Sequence, residues 1–62
     1  MTPEQGIELV SGWPKDRTVP RKLAAGIKGA SGESRRQLQS LVEALYAASE
    51  ATSDQELIER YL

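Results

Sequence analysis

Residues 34–51 read SRRQLQSLVEALYAASEA. In this stretch Leu38, Leu41, Val42, Leu45 and Tyr46 fall at i, i+3, i+4, i+7 and i+8, which places them on one stripe of an α-helix. Ala44, Ala47, Ala48 and Ala51 cost no side-chain entropy in a helix and carry it onward. Ser34 followed by Gln37 has the spacing of a capping box, with Ser31 as an earlier cap. The spacing predicts a helix over about 32–51, with Tyr46 in the core and its hydroxyl at the edge.

Working outward, Thr52-Ser53 interrupts the run, and Ser53 with Glu56 forms a second capping-box pattern. A short helix is predicted over about 54–62, burying Leu57, Ile58 and Tyr61, with Leu62 a further candidate for burial. Upstream, Pro20 suits a first helical turn and Gly29 a C′ position, so a helix is predicted over about 20–28 with Leu23, Ala24 and Ile27 inward. At the start, Thr2, Pro3 and Gln5 supply a cap, a proline at N1 and a capping-box partner. That helix is predicted over about 3–10 with Ile7 and Val10 buried, ended by Pro14 after Ser11-Gly12. Trp13, between Gly12 and Pro14, is expected to plug the core from a turn. The only strand-like alternation is the short Ile7–Val10 segment. The expectation is one all-α domain over residues 1–62: a small bundle of three main helices plus a short N-terminal helix.

A chain of 62 residues buries only ~60% of its unfolded surface. Small scaffolds of this kind depend on disulfides, metals, oligomerisation or very good helix packing. With no cysteine and no histidine, disulfides are excluded and the usual zinc, copper and haem ligands are missing. Helix packing and self-association remain, and a homo-oligomer is expected. No cofactor and no metal site is expected. The same two absences remove the common general base and the thiolate nucleophile, so the chain is expected not to be an enzyme. A bundle this small is also expected to lack a pocket of ~300 Å³ formed by one chain alone. No apolar run approaches a bilayer span and no leader pattern opens the chain, which reads as a short cytoplasmic reading frame without a membrane role.

Charge is the strongest functional signal. Seven of the eight basic residues lie between Pro14 and Arg36, making that stretch net +5, while residues 1–13 carry −2 and residues 37–62 carry −4. Such asymmetry speaks of partners. The acids Glu43, Glu50, Asp54, Glu56 and Glu59 are expected on solvated faces or in a first helical turn. Arg35 and Arg36, expected in the first turn of the long helix, oppose its dipole and call for an anionic neighbour. Gly26, Gly29 and Gly32 lack the lysine and the preceding strand of a phosphate loop.

The expected function is protein binding by a small regulatory or inhibitory adaptor that occupies a partner's surface. Short bacterial or phage regulators are of this general type, with no family resemblance at residue level. The partner-binding residues expected are Arg21, Lys22, Lys28, Arg35 and Arg36, with Tyr61 and Leu62 as apolar anchors. The alternative expectation is a small nucleic-acid-binding regulator using the basic segment 15–36, with no small-molecule substrate in either case.

Overall fold

Four α-helices make up the computed structural model, which describes every residue from Met1 to Leu62: α1 Pro3–Ser11, α2 Val19–Gly29, α3 Gly32–Ala48 and α4 Thr52–Tyr61. The all-α class and the helix order agree with the sequence expectation. Helices α2 and α3 pack together, α1 and α4 each pack on both, and α1 and α4 do not touch. The radius of gyration is 10.6 Å, equal to the ~10.6 Å of a folded chain of this length. The accessible surface of 4102 Å² lies close to the ~3,950 Å² of a monomer of this mass.

Helix α1 starts as its sequence dictates. The Gln5 amide donates to Thr2 Oγ1 at 3.2 Å and the Thr2 amide donates to Gln5 Oε1 at 2.8 Å, closing the capping box. Its inward face differs from the expectation. Gly6 is buried, and a Cβ there would lie 2.6 Å from Leu38 Cδ2 and 2.8 Å from Leu41 Cδ1. That close approach turns Gly6, Leu9 and Val10 toward α3 and leaves Ile7 outside, 59% exposed.

The connection from α1 to α2 is built on side chains. Asp16 Oδ1 accepts from the Thr18 amide at 2.9 Å and from Thr18 Oγ1 at 2.6 Å, a local turn that leads into α2. Trp13 is buried, as expected, and its indole Nε1 donates to the Leu45 carbonyl at 3.0 Å. Between α2 and α3 the left-handed residue is Gly32, with φ +60°. Gly29, expected as the C′ residue, is the last residue of α2 with ordinary backbone angles.

Helix α3 begins at Gly32, so the Ser34 capping box does not form; Ser31 is the N-cap residue and makes no side-chain cap bond. The helix stops at Ala48, three residues short of the expected Ala51, for an identifiable reason. The Leu45 carbonyl takes Trp13 Nε1 and Ser49 Oγ, while the Ser49 amide turns to the Tyr46 carbonyl at 3.2 Å. Asp54 Oδ2 then accepts from the Glu50 and Ala51 amides at 2.8 and 3.1 Å. These bonds satisfy groups that a helix end would otherwise orphan. Helix α4 therefore starts at Thr52 with Ala51 as N-cap residue, and Asp54, not Ser53, supplies the capping side chain.

The core comprises Trp13, Val19, Leu23, Ile27, Leu38, Leu45 and Ile58, with Leu9, Val10, Leu41, Val42 and Leu57 packed around it. Tyr46, expected in the core, is 41% exposed. At eight residues past Leu38 it falls at the edge of the stripe, on the row shared with Arg35, Gln39 and Val42.

Candidate functional site

An open groove of about 660 Å³ runs between α2, α3 and the end of α4. Its volume exceeds the ~300 Å³ that one chain of this size was expected not to reach, but as an open surface groove and not an enclosed ligand pocket. Small residues on α2 create it. Ala24 and Ala25 reach only one carbon from the backbone, so the space beside Ile27 and Val42 stays open, and Tyr61 and Leu62 border it from α4. Tyr61, expected to be buried by the last helix, is instead 42% exposed, and Leu62 is 41% exposed; the two form an apolar edge left uncovered at the end of the chain's last helix.

Two cations, Lys28 and Arg35, and one amide, Gln39, supply the polar lining, with no carboxylate side chain among them. Lys28 closes the last turn of α2, where the helix dipole favours a cation. Arg35 lies one turn into α3, because the helix begins at Gly32 and places Glu33 in its first turn. Neither cation belongs to either of the chain's two ion pairs. A groove with an apolar floor and unpaired cations suits an apolar side chain with carboxylates beside it.

The structure brings together four of the residues singled out in the sequence: Lys28, Arg35, Tyr61 and Leu62 line one groove. Arg21, Lys22 and Arg36 are exposed and lie outside it. Arg36 reaches Glu33 at 3.6 Å across the exposed face of α3, which provides the anionic neighbour from within the same helix. Exposed pairs of this kind contribute at most ~1 kcal/mol.

A second cluster surrounds Asp54. Asp54 stands in the first turn of α4, where it was expected, but the residue is 5% exposed and so not solvated. Arg17 forms an ion pair with Asp54, donates to the Pro14 carbonyl at 3.2 Å, and lies over the Trp13 ring at 4.9 Å. The Glu50 amide first, then the Arg17 guanidinium, hold the Asp54 carboxyl below its ordinary value of 3.8. Asp16 is likewise held low, by the Thr18 hydroxyl and then the Thr18 amide. Sequence reading missed the Arg17–Asp54 pair because its members stand 37 positions apart. The remaining acids of the C-terminal third, Glu43, Glu50, Glu56 and Glu59, are exposed. No helix is long and apolar enough to cross a membrane.

Comparison with protein-family models, with curated proteins and with solved structures found no match.

Proposed function

We propose that this chain is a non-enzymatic protein-binding module, a small regulatory or inhibitory adaptor that acts by occupying a partner protein's surface. The observation that carries the reading is the groove of α2, α3 and α4. There unpaired Lys28 and Arg35 flank exposed Tyr61 and Leu62 over an apolar floor. Aromatic anchors and desolvated cations dominate protein-recognition energetics. The matching ligand is a protein segment with an apolar anchor between carboxylates. The missing histidine and cysteine support the non-enzymatic part. A cytoplasmic setting belongs to the same reading, and the cysteine-free composition is compatible with it.

The second reading, nucleic-acid binding, has one observation in its favour. Arg21 and Lys28 stand seven residues apart on one stripe of α2, both exposed, with Arg35 following on α3. It would use phosphate contacts and depend steeply on salt.

One titration separates the two. The amide resonances of the protein would be followed by NMR on adding an acidic helical peptide with one leucine stripe, and separately on adding mixed duplex DNA. The expected result is peptide-induced shifts confined to residues around Ala25, Ile27, Arg35 and Val42, removed by Lys28→Glu with Arg35→Glu. Shifts only with DNA, centred on Arg21 and Lys22 and lost at moderate salt, would refute the protein-binding reading.

A further inference from the structure

Helix α1 carries on its outer face the chemical complement of the groove. Glu4, Ile7, Glu8 and Ser11 follow at i, i+3, i+4 and i+7, and all four are exposed. Ile7 is the most exposed large apolar residue of the chain. It stands between two carboxylates, and neither Glu4 nor Glu8 belongs to an ion pair within the chain. The groove offers the reverse arrangement: two unpaired cations beside an apolar floor. The two surfaces do not overlap, since no α1 residue lines the groove and α1 and α4 do not touch.

We infer that the occupant of the groove is α1 of a second copy, with Ile7 entering beside Val42 and Tyr61 while Glu4 and Glu8 face Lys28 and Arg35. This rests on the protein-binding reading of the groove and names its partner. The acidic C-terminal third is a poorer complement. Its exposed tyrosines are Tyr46, on the same α3 row as Arg35, and Tyr61, which borders the groove itself.

The donor and acceptor surfaces differ, so two arrangements satisfy the contact: a two-fold dimer in which each copy's α1 enters the other's groove, or a head-to-tail ring or chain in which each protomer serves two neighbours. One apolar anchor and two charge pairs are few beside the ~20–30 residues a side of a standard stable interface. Association is therefore weak, reversible and sensitive to salt.

Sedimentation of charge-exchange variants tests the inference. Wild-type protein is expected to gain mass as its concentration rises to about 1 mM, and to lose that gain in high salt. Glu4→Lys with Glu8→Lys should be monomeric, as should Lys28→Glu with Arg35→Glu, since each sets like charges against one another. Mixing the two variants should restore assembly, because both contacts then join opposite charges. Ile7→Ser should also be monomeric with an unchanged melting temperature, since Ile7 supports no core contact. A wild-type protein that stays monomeric throughout overturns the inference, as does assembly that persists in either variant alone. If the wild type is monomeric while the acidic peptide still shifts the groove resonances, the second copy is the wrong partner and the groove reading stands. If the peptide also leaves the groove unmoved, both fall.

Discussion

At the scale of single residues, Asp54 concentrates the most interactions. One carboxylate accepts the Glu50 and Ala51 amides and pairs with Arg17, so it joins the start of α4 to the Trp13 loop. Its acidity gives the sign of the pH effect. The folded state holds the carboxyl below 3.8, so its stabilisation is fully present above the unfolded value and disappears as pH falls through the folded value. Between about pH 5 and about pH 2 the wild-type melting temperature should fall. Asp54→Ala should melt lower at neutral pH and lose less over the same interval. Thermal unfolding followed by circular dichroism at several pH values checks this; parallel curves for the two proteins would contradict the role assigned to Asp54. The ion pair was not legible locally, since Arg17 is distant in sequence. The other two partners are local: the Glu50 and Ala51 amides distinguish Asp54 from Glu56 once α4 starts at Thr52.

At the scale of the helices, much could be read in advance, because local chemistry set it. The Thr2–Gln5 capping box, the order of the four helices and the apolar spacing of α3 all follow from residues within a turn or two of each other. What could not be read was rotation and termination. Helix α1 turns about its axis because Gly6 meets Leu38, and α3 stops early because Trp13 claims the Leu45 carbonyl. Three glycines convert this into a prediction. Gly6→Ala gains ~1 kcal/mol of helix propensity but forces overpacking costing ~1–3 kcal/mol, for a net loss of about 1 kcal/mol. Gly32→Ala puts a Cβ at φ +60°, a loss of ~1–2 kcal/mol. Gly29 has open space and an ordinary φ, so Gly29→Ala should be neutral or stabilising by up to ~0.5 kcal/mol. Chemical denaturation should find Gly6→Ala and Gly32→Ala destabilised and Gly29→Ala not; equal effects at Gly6 and Gly29 would contradict the α1–α3 contact.

At the scale of the whole molecule, seven buried hydrophobic side chains form the core of the 62-residue chain. A chain of this length has a total stability of roughly 3–9 kcal/mol. Leu38, with no exposed surface, touches both α1 and the interior. Leu38→Ala should cost ~2–5 kcal/mol, a large share of that total, and lower the denaturation midpoint accordingly. Tyr46→Ala, at an exposed position, should cost far less by the same denaturation measurement. The charge asymmetry was legible from the order of charged residues along the sequence, and the groove was not. It depends on α2, α3 and α4 converging, and on Ala24 and Ala25 being too small to fill the gap.

The indole of Trp13 gives the molecule a built-in optical reporter. It is the only tryptophan, enclosed by the core, held by the Leu45 carbonyl and covered by the Arg17 guanidinium. Its emission should be blue-shifted in the folded protein and move to the red only when the loop leaves α3. Because it lies outside the groove, occupancy there should leave its colour unchanged, and unlabelled protein can distinguish binding from unfolding in a single cuvette.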